Sequence, residues 1–287
     1  MHKFSKKNII ISLITMLILV SLSSCSIVPS VTERIQTTET LIKRNNWQKI
    51  LIKTQAFDII SYQPKYLKNQ HSKLLTIYIE GDGLAWLSKS IISSNPTPIN
   101  PLALKLALQH PNQSVAYLAR PCQFTANTTK NCKATYWTDA RFSTKVIQAM
   151  NKAIQTLIKK SHAESIVLVG YSGGATVAAL IAAQRTDVKM LITVAGNLNP
   201  KKWTQLQKIS PLNKSLNPVD YIHQLSKIKQ THLIGEHDKI MPKPVIDSYM
   251  QELTMENTAR VKVMQNYNHH CCWVKNWKSI WNETTRP

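Results

Sequence analysis

The residues that could do chemistry most directly lie in the segment Gly170-Tyr171-Ser172-Gly173-Gly174. A short apolar run, 166–169, precedes this segment, and a run of small, helix-favouring residues, 175–183, follows it. The pattern predicts a strand, a tight turn and a helix, in which the glycines two positions from Ser172 let the two backbones approach closely. The hydroxyl is then exposed beside a helix N-terminus, which favours developing negative charge. Ser172 is therefore a candidate nucleophile; the alternative is a serine that only caps the helix.

A nucleophilic serine needs a base, an acid that orients the base, and donors for the oxyanion. Asp238 follows the apolar run 231–235, and His269 follows the alternating run 261–263. Ser172, Asp238 and His269 thus each come after a predicted strand, in the chain order typical of one class of serine hydrolases. The sequence predicts that these three residues form a catalytic triad.

The elements that must position these residues alternate between strands and helices. We predict strands at 49–53, 57–62, 74–79, 114–118, 166–169, 189–194, 231–235 and 261–263, and helices at 101–109, 139–160, 175–183 and 274–282. The fold class is therefore α/β, with a mostly parallel sheet of about eight strands, an antiparallel first pair and flanking helices. The carboxyl ends of parallel strands share one edge, where ligands bind. About thirty residues separate the sixth strand from the seventh, too few for a large cap domain.

The N-terminus predicts export. Basic residues precede an apolar stretch, 9–20, that is too short to cross a bilayer comfortably. The segment Leu22-Ser23-Ser24-Cys25 resembles the lipobox of bacterial lipoproteins, which implies cleavage and lipid modification of Cys25. An ordinary cleaved signal and a plain N-terminal anchor are the alternatives, and Ser26 favours the outer membrane by resemblance to lipoprotein sorting. We expect a signal peptide at 1–24, a polar tether at 25–46 and one domain at 47–287.

The formal net charge of +21 invites a nucleic-acid interpretation, which the distribution of charge does not favour. Lysines and arginines are scattered along the chain, without a basic stripe interleaved with stacking aromatics. A general attraction to an anionic membrane surface, or a lysine-rich composition, explains the charge more simply. We expect no nucleic-acid partner.

The cysteines suggest one disulfide and one open question. Cys122 and Cys132 flank a polar loop, and in an oxidising compartment we expect them to form a disulfide. Cys271 and Cys272 are neighbours that the sequence does not pair. Together with two histidines they could ligate zinc, but ligands at consecutive positions diverge, so we expect neither a metal nor another cofactor.

From residue 47 to 282 the chain resembles the α/β-hydrolase superfamily and, more narrowly, a group of exported bacterial lipoproteins with that fold. The matching pieces are Tyr78 to Gly83 with Trp86, Arg120 to Cys122, Gly170 to Gly174, Gly235 with Asp238, and His269 with residues 271–273. The resemblance implies Ser172 as nucleophile, Asp238 as acid and His269 as base, with backbone N–H groups of Gly173 and Asp82 as oxyanion donors. The chain departs from many superfamily members by having Glu80 where they have histidine. Either the carboxylates of Glu80 and Asp82 turn away from the site, or Gly83 is the donor.

Two further roles have alternatives. His270 is the second candidate for the base, although His269 directly follows the turn residue Asn268. Asp220 is the second candidate for the acid, because superfamily members sometimes supply it from an earlier strand.

The sequence predicts a serine hydrolase, lipid-anchored on the periplasmic face of a bacterial envelope, that transfers an acyl group to Ser172 and then to water. The short connection after the sixth strand favours an open site and an ester or thioester substrate, either a small molecule or a lipid, with peptide cleavage as an alternative. A catalytically silent lipoprotein that binds an envelope ligand or partner is the alternative outside enzymes. The sequence does not indicate the oligomeric state.

Overall fold

The computed structural model describes residues 28–65, 73–125, 131–253 and 258–286. The expected signal peptide, residues 1–24, and Cys25 lie outside these ranges. Within them, no helix combines the length and the apolar character that crossing a bilayer requires.

The described strands form one sheet of eight. They are β1 (Trp47–Lys53), β2 (Asp58–Pro64), β3 (Leu74–Ile79), β4 (Val115–Leu118), β5 (Ser165–Tyr171), β6 (Val188–Val194), β7 (Lys229–Gly235) and β8 (Ala259–Met264). Their order is β1-β2-β4-β3-β5-β6-β7-β8. β2 pairs antiparallel with β1 and with β4, whereas all pairs from β4 to β8 are parallel. The predicted α/β fold with a mostly parallel sheet is confirmed.

Helices cover both faces of this sheet. They are α1 (Val31–Arg44), α2 (Leu102–Leu108), α3 (Thr144–Ser161), α4 (Gly173–Ala182), α5 (Pro200–Gln207), α6 (Ile222–Leu225), α7 (Lys243–Met250) and α8 (Trp277–Thr285). The apolar sides of α3 and α4 bury one face, and those of α2 and α8 bury the other. β3 and β5, covered on both faces, are apolar along nearly their whole length for this reason.

The structure corrects the predicted polar tether over residues 25–46, because residues 31–44 form helix α1. Its buried side chains are Arg34, Thr38 and Ile42, which recur every four residues and so share one face. The Arg34 guanidinium donates a hydrogen bond to the carbonyl oxygen of Thr97. Two of the three buried residues are polar, so an apolar periodicity could not reveal this helix.

Helix α3 begins later than predicted. The sequence pattern favoured a helix from residue 139, but the structure starts it at Thr144, with Ser143 in extended conformation at the N-cap position. Residues 139–143 form a turn instead, and this turn carries Arg141 into the functional site described below. A serine immediately before an apolar-periodic stretch is a helix-start signal, and here it would have given the correct boundary.

Two connections near the carboxyl edge of the sheet complete the fold. Between β6 and β7 the chain forms only α5, a 3₁₀ turn at Pro218–Tyr221 and α6. Helix α5 is capped by Asn199, whose Oδ1 accepts a hydrogen bond from the backbone N–H of Lys202 at 3.1 Å. Beyond β4, a disulfide joins Cys122 to Cys132.

Candidate active site

Ser172 lies at the junction of β5 and α4, with φ 51° and ψ −121°. A non-glycine residue rarely adopts this region, so the surrounding structure must hold it there. The Ser172 N–H donates to the carbonyl oxygen of Val194 at 3.0 Å. A Cβ at Gly170 would lie 2.5 Å from the Cα of Ala175, and one at Gly174 would lie 2.3 Å from the carbonyl oxygen of Ile79. Only glycines permit this approach of helix to sheet, which places the serine at the carboxyl edge.

Three side chains, each from the segment that follows a different strand, meet at this edge. His269 Nε2 lies 3.0 Å from Ser172 Oγ, and His269 Nδ1 lies 2.8 Å from Asp238 Oδ2. The second Asp238 oxygen accepts the backbone N–H groups of Ile240 and Met241 at 2.9 and 2.8 Å. The Asp238 side chain is fully buried and the imidazole is 6% exposed. The arrangement can take a proton from a serine hydroxyl and hold the imidazole in one orientation.

The alternative residues have other contacts, although His270 also borders the cleft. The Nδ1 atom of His270 lies 3.1 Å from the Tyr171 hydroxyl, which also donates to the backbone oxygen of His269 at 3.2 Å. Burial, with a smaller contribution from the neighbouring His269, lowers the pKa of His270. Asp220 is exposed on the 3₁₀ turn after α5. The hydrogen-bonded chain from Ser172 therefore runs through His269 to Asp238.

Hydrogen bonds between side chains and backbone around Asn268 fix the loop that carries His269. The side-chain oxygen of Asn268 accepts from the backbone N–H groups of His270 and Cys271 at 2.9 and 2.8 Å. The buried Trp273 ring donates its indole N–H to the Asn268 carbonyl at 3.0 Å. A disulfide joins Cys271 to Cys272 in this loop, a pairing that the sequence left open.

Residues 80–83 lie directly against the turn at Ser172 between β5 and α4, which we call the elbow. A Cβ at Gly173 would lie only 2.1 Å from Oδ1 of Asp82, so the two residues are in contact. Within the described ranges, the backbone N–H groups of Gly173 and Asp82 make no hydrogen bond, and Asp82 borders the cleft. Gly83, the alternative donor, also borders the cleft. The loop thus lies where the second oxyanion donor is expected.

The Asp82 carboxylate is held between two guanidinium groups. Arg120 Nη1 lies 3.3 Å from Oδ1, and Arg141 Nη1 lies 2.6 Å from Oδ2. Both guanidinium groups are about 5% exposed. Burial lowers the pKa of Arg120 to about 10, although the charge of Asp82 acts in the opposite direction. The sequence did not assign a site role to either arginine, and the three side chains together carry one net positive charge.

The Glu80 carboxylate is engaged away from Ser172. It is buried and accepts the N–H groups of Gly81 at 3.0 Å, Ala103 at 3.3 Å and Leu104 at 3.5 Å, the last two at the start of α2. Burial raises its pKa to about 7, even though these hydrogen bonds favour the charged form. Each carboxylate that the sequence placed near the oxyanion site therefore has its own partners.

The site opens into a cleft of about 500 Å³. Ser172 and His269 border it together with Arg141 and a largely apolar wall. The wall is formed mainly by Leu84, Ala85, Trp86, Pro98, Ile99, Ile240 and Met241. A cleft of this size with few polar groups suits a small ligand or one acyl chain.

The fold and the site together define the class, a serine hydrolase of the α/β type. The chain belongs to the family described as serine hydrolase (FSH1), which matches residues 97–271 and therefore includes Ser172, Asp238 and His269. Residues 80–83 lie before the matched region. No curated protein matches the sequence.

Solved structures share the fold at low identity. Est1E from Butyrivibrio proteoclasticus is 14% identical, with a TM-score of 0.56, and the match covers 82% of this chain and 98% of that one. The Pyrococcus furiosus esterase Pf2001 is 13% identical, with a TM-score of 0.56 and coverage of 83% and 89%. A membrane phospholipase A, described as a novel bacterial virulence factor, is 11% identical, with a TM-score of 0.55 and coverage of 98% and 100%.

We predict that Glu80 makes stability depend on pH. An unfolded glutamate loses its proton near the ordinary pKa of 4.5, whereas the folded protein keeps it up to about 7. Between these values the folded state binds more protons, so the free energy of unfolding falls as pH rises, by on the order of 3 kcal/mol in total. Glu80→Gln should remove most of this slope in denaturant unfolding at pH 4.5 to 7.5.

The matched control for this measurement is Glu164→Gln, which changes a carboxylate that is 63% exposed. This variant should keep the slope of the wild type. An unchanged slope in Glu80→Gln would show that Glu80 ionises at its ordinary pKa.

We predict that Asp82→Ala destabilises the protein by about 3–5 kcal/mol, because it leaves two buried guanidinium groups without a counter-charge. Chemical denaturation measures this change. The control is Glu164→Ala, which breaks the exposed ion pair with Lys73 and should cost less than about 1 kcal/mol. Equal effects of the two substitutions would contradict the conclusion that Asp82 balances two buried charges.

Proposed function

We propose that Ser172, His269 and Asp238 are the catalytic triad of an ester or thioester hydrolase. The observation that supports this most strongly is the continuous chain of hydrogen bonds from Ser172 Oγ through both imidazole nitrogens to Asp238, at the floor of an open cleft. No other side chain of the site lies between the hydroxyl and the imidazole, so proton transfer needs no rearrangement.

In the first half-reaction, Ser172 Oγ attacks the carbonyl carbon of the substrate while His269 Nε2 takes the hydroxyl proton. The carbonyl oxygen becomes an oxyanion. When this tetrahedral species collapses, the bond to the leaving alkoxide or thiolate breaks, and His269 returns the proton to that group. Asp238 holds Nδ1–H and stabilises the imidazolium that forms. The product is an acyl-enzyme on Ser172.

In the second half-reaction, water replaces the leaving group. His269 takes a proton from the water as its oxygen attacks the acyl carbon, and then returns a proton to Ser172 Oγ as the ester bond to the enzyme breaks. The carboxylic acid leaves and the serine hydroxyl is restored. The reaction consumes the substrate and one water molecule, and its steps involve no cofactor.

The backbone N–H groups of Gly173 and Asp82 are the proposed oxyanion donors, with Gly83 as the alternative to Asp82. Their contact across the elbow and their lack of a protein partner within the described ranges support this role. Gly173 is also the first residue of α4, where the helix dipole favours negative charge. The net positive charge of Asp82 with Arg120 and Arg141 lies immediately behind and adds to this preference.

The cleft supports an ester or thioester substrate, either a small molecule or a lipid. Its wall is apolar on the side formed by residues 84–99, which suits an acyl group. One of the structural neighbours is named as an esterase and another as a membrane phospholipase A. A peptide substrate is the alternative within serine hydrolases, and hydrolysis of a model peptide without hydrolysis of model esters would favour it.

We predict that an alkyl fluorophosphonate labels the wild-type protein but not Ser172→Ala, because the probe traps an activated serine. Intact-mass spectrometry measures the labelling. Ser210→Ala, at an exposed serine outside the site, is the matched control and should label fully. Labelling that survives in Ser172→Ala, or no labelling of folded wild type, would favour the catalytically silent lipoprotein.

The two adjacent histidines provide an internal comparison for the same assay. His269→Ala should slow labelling by roughly 10²-fold or more, the usual contribution of a general base. His270→Ala should change it far less, because His270 contacts the Tyr171 hydroxyl rather than Ser172. The reverse order would assign the base to His270.

We further propose that the protein is lipid-anchored at Cys25 on the periplasmic face of the bacterial envelope, in the outer membrane. The lipobox-like segment and Ser26 support this. Wild-type protein expressed with a labelled fatty acid should carry the label, and Cys25→Ser should not. A processed but unlabelled wild type would indicate an ordinary secreted protein, and an unprocessed one would indicate a plain N-terminal anchor. Membrane fractionation distinguishes the outer from the inner membrane.

A further inference from the structure

Large apolar side chains that face solvent surround the mouth of the cleft. We call Trp86, Leu87, Ile91, Ile92, Ile99 and Ile240 the apolar rim, and each is between 39% and 57% exposed. Trp86, Ile99 and Ile240 also line the cleft, so the rim is continuous with the site. Contiguous exposed apolar surface of this kind marks a site of contact with a partner or a membrane.

Exposed large apolar side chains are concentrated around the cleft rather than spread over the whole surface. Within the described part of the chain, all exposed large apolar side chains except Val28, Leu51 and Val263 lie in residues 86–99, 206–209 or at Ile240. Leu206 lies in the last turn of α5, and Ile209 lies just after the helix. Helix α5 contacts the rim through the hydrogen bond from Trp203 to Ile240. The surface that surrounds the cleft therefore differs from the rest of the molecule.

Hydrogen bonds fix the backbone of the segments that carry the rim. Trp86 and Ile92 face each other in an antiparallel bridge, and the Leu87 N–H donates to the Ile91 carbonyl at 2.8 Å. On the other side of the mouth, the Trp203 indole donates to the Ile240 carbonyl at 2.8 Å. Hydrogen-bonded backbone therefore holds these apolar side chains at the surface.

The segments that carry the rim and α5 contain basic residues and no acidic ones. Residues 83–100, 199–217 and 239–246 contain lysines but neither aspartate nor glutamate. Lys89, Lys208 and Lys239 are exposed, are within two residues of an exposed apolar side chain, and make no ion pair with any described residue. Apolar side chains edged by free lysines match an anionic lipid surface, where the former enter the acyl region and the latter contact phosphates.

We propose that the apolar rim docks on a bilayer that contains anionic phospholipid, with the mouth of the cleft facing the membrane, and that the ester cleaved is an acyl ester of a lipid in that bilayer. Docking does not depend on catalysis, whereas the choice of substrate rests on the proposed hydrolysis at Ser172.

The tryptophans of the native chain report this contact directly. Five of the seven, at positions 47, 137, 273, 277 and 281, are buried. The other two are Trp86 on the rim and Trp203 beside it. Lipids brominated on their acyl chains quench tryptophan only at short range, so quenching of the full-length protein reports insertion at the mouth of the cleft even if the N-terminus also binds the vesicle.

The experiment measures quenching of full-length protein by vesicles of acyl-brominated phosphatidylglycerol and of acyl-brominated phosphatidylcholine. We expect quenching on the former, less on the latter, and loss of most of it in Trp86→Phe. Leu87→Ser with Ile91→Ser should weaken insertion of the rim by roughly tenfold for each side chain. The matched control is Leu51→Ser with Val263→Ser, which removes two apolar side chains of similar exposure elsewhere and should leave quenching unchanged.

Three outcomes would overturn the proposal. Protein that co-sediments with anionic vesicles without quenching is bound by its N-terminus alone, which leaves the rim for a protein partner. Equal quenching on both lipids would show that the lysines do not contribute to docking. Equal loss in the rim and control variants shows a general effect of apolar surface.

Activity is tested separately from docking. The rim variant should keep the wild-type rate of fluorophosphonate labelling but lose hydrolysis of long-chain esters in anionic vesicles relative to a soluble short-chain ester. Ser172→Ala should retain quenching and lose both activities. If Ser172→Ala keeps activity, the proposed function fails while docking stands. If the rim variant hydrolyses vesicle esters normally, the rim does not deliver the substrate. If the wild type hydrolyses the soluble ester but not the vesicle esters, the lipid substrate is excluded while the proposed function stands.

Discussion

The sharp turn at Ser172 is the constraint on which the rest of the site depends. The serine adopts a positive φ between β5 and α4, and the chain can turn there only because Gly170 and Gly174 have no side chain to collide with neighbouring backbone. This close packing of α4 on β3 brings the start of residues 80–83 against the elbow. This one crowded junction sets the position of the nucleophile, of the free N–H groups beside it and of the helix N-terminus.

That crowding creates an electrostatic problem, because the same loop carries two carboxylates. Asp82 contacts Gly173, where an oxyanion is expected, and an unpaired negative charge there would oppose the reaction. Arg120 and Arg141 reverse the sign of the local charge, and they can do so only because residues 139–143 turn before α3 begins. Burial solves the problem differently for Glu80, by raising its pKa to about 7 so that it is partly neutral at physiological pH. The departure from histidine at this position is therefore compatible with a working site.

The sequence was most informative where a local pattern decides the structure. Apolar runs that end in turns gave the strands, and residues at the carboxyl ends of parallel strands must converge, so Ser172, Asp238 and His269 could be grouped before any coordinates. The choice between His269 and His270 could not be made this way, because adjacent residues differ only in direction, which tertiary packing sets. Helix α1 was missed since its buried face includes Arg34 and Thr38, whose partners lie far along the chain. The arginine partners of Asp82 were missed for the same reason: charge pairing across 38 and 59 residues leaves no local pattern.

The short connection between β6 and β7 has a consequence that joins the site to its surroundings. Many enzymes close a lid over the reacting groups, which expels water and strengthens every electrostatic interaction inside. Here the connection between β6 and β7 forms only α5, a 3₁₀ turn and α6, and no cap domain. The cleft opens to solvent between the exposed apolar side chains of the rim. A bilayer seated on the apolar rim would supply the missing cover, because the lipid itself would exclude water from the mouth. An open cleft and an exposed apolar surface, each unfavourable for an enzyme in free solution, are then parts of one arrangement in which the membrane serves as both the source of substrate and the lid.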